Sequence, residues 1–180
     1  MQLNESWQWI IALLSLFTLL SLSLNVMIIK KIVSSEKQLN MPSFELDIFP
    51  VFEVSQLHTN KFISTDINSP TVLIFLATNC PKCKGKIKML ENLVLHSESQ
   101  GVSLRIIVHE QMKSIELFFN HTQLTNIIWK LNYTDYKEIN PHEISPAYLF
   151  VNELSEVEGQ GIIDDDNWQH FQQQILGGSE

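Results

Sequence analysis

Cysteine is scarce in this chain, with two among 180 residues. A disulfide framework of the kind that holds small secreted scaffolds needs several pairs at wide spacing, and a structural zinc site built on CxxC needs a second pair. Two thiols supply neither. Basic residues are also few: 12 Lys and Arg stand against 20 Asp and Glu, a formal net charge of -8. That balance argues against nucleic acid as a partner, because phosphate binding needs clustered cations. The six histidines, His58, His96, His109, His121, His142 and His170, show no paired metal spacing, and no EF-hand pattern surrounds Asp164 to Asp166. Internal repeats and low-complexity blocks are lacking too. Hydrophobic residues at 44% are ample for one ordinary core, and the length leaves room for one domain with an appendage.

The appendage is the most apolar part of the chain. Residues 7–29, WQWIIALLSLFTLLSLSLNVMII, carry no charge and are long enough to cross a hydrocarbon layer of about 30 Å as a helix. Trp7 and Trp9 suit one interface and Lys30 with Lys31 the other. The run exceeds a signal-peptide core and no small-residue cleavage site follows it, so residues 1–34 read as an uncleaved transmembrane anchor lying in the lipid bilayer. Residues 35–50, with Pro42 and Pro50, read as a stalk, residues 51–176 as the folded domain, and residues 177–180 as a flexible tail.

Within the domain, PVFEVSQL and KFISTDI flank the polar tip HTN at 58–60 as a strand pair. TVLIFLA at 71–77 is the continuous β-branched and aromatic run of a strand buried on both faces. The residues after Pro81 repeat apolar positions at helical spacing to about His96, and SLRIIV at 103–108 forms a second buried strand, parallel to the first because a helix joins them. SIELFFNHTQL at 114–124 reads as an amphipathic helix, and 125–140 fits strand, helix or loop equally. AYLFVN at 147–152 and GQGIID at 159–164 form an antiparallel pair. Asp164 to Asp166 then cap a closing helix bearing Trp168, Phe171, Ile175 and Leu176. Together these elements make an α/β domain with a central mixed sheet flanked by helices.

Both cysteines sit at the strand-to-helix junction, in TNCPKCK, as Cys80 and Cys83. Thiols at i and i+3 in the first helical turn share a face and can open and close a disulfide with little backbone movement. Cys80, at the helix tip, meets unpaired N–H groups and the positive dipole end, which favour thiolate and make it the attacking sulfur. Cys83, one turn deeper, is the resolving sulfur. Pro81 starts the helix, and Lys82 adds cationic field, so both modulate the pair. A static bridge gains nothing from so small a loop.

A buried strand, C-P-x-C on the next helix, Ser145-Pro146 directly before AYLFVN, and a glycine-bearing hairpin together resemble the thioredoxin superfamily over residues 43 to 176. The resemblance implies a thioredoxin-like fold and a thiol-disulfide oxidoreductase with no cofactor beyond the Cys80-Cys83 pair. It also implies a cis Pro146, with Ser145 presenting backbone to a bound client strand. MPSFEL after the span, LIFLATNCPKCK, SPAYLFVNE and GQGII are most similar to the membrane-tethered TlpA-like branch and, within it, to the MauD group of methylamine-utilisation proteins. That group acts outside the cytoplasm in maturing the disulfide-rich methylamine dehydrogenase. The partners implied are a cysteine-containing exported protein and a membrane redox protein.

Two departures stand out. The strand TVLIFLA has no buried carboxylate to take the resolving thiol's proton, and Asn79 replaces the usual Trp before the first cysteine. His142 and Glu143, just before Pro146, are candidate proton shuttles. Lys30, Lys31 and Lys37 after the span would by themselves put the domain in the cytoplasm. The redox reading instead predicts a single-pass protein of the inner membrane with its domain on the periplasmic face. The alternative function is copper or zinc delivery on the same fold, because thiolate pairs suit Cu(I) and Zn.

Overall fold

A computed structural model describes residues 5–39, 44, 46–57 and 62–177 and divides the chain into two compact units, Met1–Pro42 and Ser43–Glu180. The first unit holds helix α1, Glu5–Leu39, in which Trp7–Lys30 has a mean hydropathy of 2.2 and is long and apolar enough to cross a membrane. No apolar side chain of Trp7–Lys30 is buried.

The second unit is built on a seven-stranded sheet in the order β2-β1-β5-β4-β3-β6-β7. Its strands are β1 (Glu53–Gln56), β2 (Phe62–Ser64), β3 (Thr71–Phe75), β4 (Ser103–Val108), β5 (Ile128–Lys130), β6 (Ala147–Val151) and β7 (Val157–Ile162). β3, β4 and β5 are mutually parallel, whereas β1, β2, β6 and β7 join by antiparallel pairing. Every residue of β3 is buried, because each face of the sheet is covered. Val72, Ile74 and Leu76 point into one core with Leu90, Leu93, Ile106 and Trp168, while Leu73 and Phe75 point into the other with Phe49, Ile107, Tyr136 and Leu149. The unbroken apolar run is therefore two alternating sets of core residues.

The helices are α2 (Pro81–Lys84), α3 (Ile87–Ser97), α4 (Met112–Phe118), α5 (Tyr133–Ile139) and α6 (Asp166–Gly177). Three expectations are corrected and one open segment is resolved. The helix after Pro81 is broken at Gly85 and Lys86, where the Lys86 N–H turns back to Cys83 O at 3.0 Å. The amphipathic segment at 114–124 stops at Phe118, with His121 at φ 63°, a left-handed value that ends a helix. The ambiguous 125–140 holds β5 and α5. The stalk assigned to 35–50 is partly core: Phe44 and Phe49 are 3% and 2% exposed, and Ile48 bridges to Glu156. The hairpin tip at 58–60 and the tail at 178–180 lie outside the described residues.

Candidate dithiol site

β3 ends at Phe75, and the chain reaches the sulfurs through Ala77, Thr78 and Asn79 at the carboxyl end of the parallel strands, the usual place for a site in such sheets. Cys80 is the N-cap of α2, with extended backbone (φ -94°, ψ 111°), and Pro81 takes the first helical position, where a missing N–H costs nothing. The Cys83 N–H donates to Cys80 Sγ at 3.2 Å, so that sulfur does what a capping Ser or Asp oxygen does elsewhere. Both thiols are free: Cys80 is partly exposed, and Cys83 is fully buried in the core that contains Trp168.

The Ser145-Pro146 peptide is cis, as expected. Ser145 meets both sulfurs. Its carbonyl oxygen lies 3.7 Å from Cys80 Sγ, which donates to it, and its side chain is hydrogen-bonded to Cys83. Burial pushes the Cys83 thiol up to about 12. A hydrogen bond to the Ala77 backbone acts against that rise, the neighbouring Cys80 adds to it, and the Ser145 bond opposes it. At neutral pH Cys83 is therefore a protonated thiol.

The turn that delivers Pro146 is fixed by Asn140, which is fully buried. Its amide donates to Tyr136 Oη and Ile144 O, each at 3.0 Å, and accepts the Ile144 N–H at 2.9 Å. Glu143 lies in this turn with a left-handed φ of 51°, hydrogen-bonded to Tyr133 and 3.9 Å from Lys137 Nζ. His142 is exposed, and so is Lys82. The structure thus brings Cys80, Cys83, Ser145 and Pro146 together. Glu143 reaches the neighbouring tyrosines, while His142 forms no hydrogen bond or ion pair among the described residues.

Glu110 is a site residue that the sequence reading missed. Its carboxylate accepts the Thr78 N–H at 2.7 Å and the His109 N–H at 3.3 Å, tying the cysteine-bearing loop to the end of β4. It also lies close enough to Tyr136 to oppose ionisation of that phenol, as do Cys83 and Glu143, although burial is the larger cause of the upward shift. The signal available was modest: an acidic residue just past the strand parallel to the one preceding CPKC. Asp165 and Gly161 were missed as a unit. Tyr148 Oη donates to both Asp165 oxygens, at 2.9 and 3.1 Å, and a Cβ on Gly161 would fall 2.0 Å from Asp165 Oδ2. Among the described residues no group of three or more His, Cys, Asp or Glu gathers as a metal site.

No family model and no curated protein matches the sequence. Solved structures do match the fold. StoA from Bacillus subtilis is similar with a TM-score of 0.54 at 23% identity, covering 63% of this chain and 87% of that one. A thiol:disulfide interchange protein from Bacteroides sp. gives 0.60 at 12%, covering 74% and 91%. A thiol:disulfide interchange protein of the thioredoxin family from Chlorobium tepidum gives 0.57 at 16%, covering 76% and 100%. At these identities the likeness establishes one thing, a thioredoxin-like fold.

Proposed function

We propose that the protein is a thiol-disulfide oxidoreductase working through Cys80 and Cys83. The observation that carries this reading is the pairing of a partly exposed sulfur at a helix tip with a buried one a turn away, both in contact with the residue before a cis proline. The structural neighbours described as thiol:disulfide interchange proteins support it.

In the reducing direction, the Cys80 thiolate attacks a client disulfide. A Cys80–client bond forms, the client S–S bond breaks, and the departing client sulfur takes up a proton. Cys83 then loses its proton and attacks Cys80 Sγ, which closes the Cys80-Cys83 disulfide and releases the client cysteine as a thiolate. Two electrons pass from the dithiol to the client, and two protons follow. Oxidation of a client is the same path reversed. Ser145 carbonyl and Pro146 form the surface on which the client strand lies, and Glu143 with Tyr133 offers a proton route near the turn.

In its finer form, the reading is a membrane-anchored protein held by residues 7–29 that acts on exported clients, as the MauD-like motifs MPSFEL and LIFLATNCPKCK suggest, with methylamine dehydrogenase as the implied client. The test is Cys83→Ser in the full-length protein in its native membrane. The variant should accumulate mixed disulfides through Cys80 that dithiothreitol releases, with a methylamine dehydrogenase subunit among them. Absence of any trapped partner would overturn the exchange reading, and a different trapped client would overturn only the finer one.

A further inference from the structure

Beside the sulfurs runs a cleft of about 550 Å³, lined by Lys82, Gly85, Lys86 and Pro146 on one side and Ile162 to Asp165 on the other. Ser145, whose carbonyl meets Cys80, also lines it, so an occupant of the cleft lies next to the reacting sulfur. Its lining is mixed, with Pro146, Ile162 and Ile163 supplying apolar surface and Lys82, Lys86, Asp164 and Asp165 supplying charge. Ile163 is buried, and Ile162 is 39% exposed at the mouth.

The acidic groups on the rim are already engaged. Asp164 is paired with Lys86, and Asp165 accepts from the Tyr148 hydroxyl and from the Trp168 N–H at 2.7 Å. Lys82 alone of the rim's charges has no hydrogen-bond or ion-pair partner among the described residues.

Gly85 supplies the second observation. Its backbone is right-handed helical (φ -66°, ψ -14°), which any residue adopts. A Cβ there would meet nothing nearer than Lys82 O at 3.4 Å and Pro81 O at 4.0 Å, both ordinary contacts. Neither backbone conformation nor crowding calls for glycine, and glycine is a poor helix former. What its missing side chain does is keep the cleft wall open.

We infer that this cleft is a side-chain pocket for the client polypeptide, taking a bulky apolar residue beside the client's reacting cysteine and favouring a carboxylate next to it, opposite Lys82. The inference rests on the exchange reading and adds the class of client segment. The volume accommodates an aromatic side chain, which Pro146, Ile162 and Ile163 would contact while Lys82 faces the polar neighbour.

The test uses full-length protein and disulfide-linked peptides of one length that differ at the residue flanking the cysteine, Trp or Ala, and at the next residue, Glu or Lys. Oxidised glutathione serves as a pocket-independent substrate. Wild type should exchange with the Trp peptide roughly tenfold faster than with the Ala peptide, the scale of partial burial of a large apolar side chain. Gly85→Leu, compatible with the helical backbone, should reduce that ratio to below about twofold, and any common effect of the substitution on the sulfurs cancels in the ratio. Lys82→Glu should invert the Glu-to-Lys preference, each preference being roughly two- to fivefold and weaker in high salt. Equal Trp and Ala rates in wild type, or a Trp advantage unchanged by Gly85→Leu, would overturn the pocket while leaving exchange intact. No exchange with any peptide or with glutathione would instead overturn the exchange reading, and the pocket with it.

Discussion

Cys80 and Cys83 differ first in access. Cys80 is partly open and accepts an amide hydrogen bond, whereas Cys83 is sealed in the core and held protonated by desolvation. Iodoacetamide at pH 7 should therefore modify Cys80 in the native dithiol and spare Cys83 until the protein is unfolded, as mass spectrometry of digests would report. Equal labelling of both would contradict the assigned roles. A pH dependence follows as well. The folded-state value for Cys83 lies above that of an ordinary thiol, so the folded protein binds the proton more tightly than the unfolded chain. The resulting stability is complete below about pH 9 and is lost as the pH rises towards about 12. Denaturant midpoints of the dithiol should fall over that window more steeply than those of Cys83→Ser. Tyr136 and Tyr148 also resist ionisation when folded, and their contribution cancels in the comparison. The cysteines and Pro146 were legible in sequence because their chemistry is local: a spacing of three, a helix start, and a proline before a strand. Glu110 was not, because its partner Thr78 is 32 residues away and no pattern links them.

Between elements, two polar ties hold the site. Glu110 joins the loop after β3 to the end of β4. Replacing it with Ala leaves the Thr78 N–H without its acceptor, at a cost of about 1–3 kcal/mol, while Gln keeps an acceptor oxygen. Hydrogen exchange should show the Thr78 amide losing protection in Glu110→Ala and largely keeping it in Glu110→Gln; equal protection in both would remove the tie from the account. Asp165 joins β6 to the start of α6 through Tyr148 and Trp168. Gly161→Ala would force this pair apart and should lower stability by about 1–3 kcal/mol in denaturant unfolding, with a change below about 0.5 kcal/mol contradicting the packing described. The long elements were legible because β3, β4 and the closing helix repeat apolar residues at clear periods. β5 was not, with only three residues and a place in the sheet fixed by β4 and β1, far away in sequence. The break at Gly85 and Lys86 was hidden for a similar reason, since the apolar spacing continues through it.

For the molecule as a whole, the described residues hold one helix long and apolar enough to cross a membrane, and the unit Ser43–Glu180 has a thioredoxin-like fold. The boundary was misread at residue 51 because Phe44 and Phe49 lie among prolines and charges, and only the fold shows what buries them. If residues 7–29 anchor the protein, it should remain in membranes washed with alkaline carbonate and be released by detergent. A reporter fused after Glu180 should be active on the periplasmic side, whereas a cytoplasmic reporter would rule out exported clients. The central claim concerns the dithiol itself. Equilibrating the full-length protein across a series of thiol-disulfide buffers and counting free thiols by mass spectrometry should reveal one two-electron transition in which Cys80 and Cys83 disappear together, lost in Cys80→Ser and Cys83→Ser alike. Thiols that persist under oxidising buffers, or that titrate independently, would contradict it.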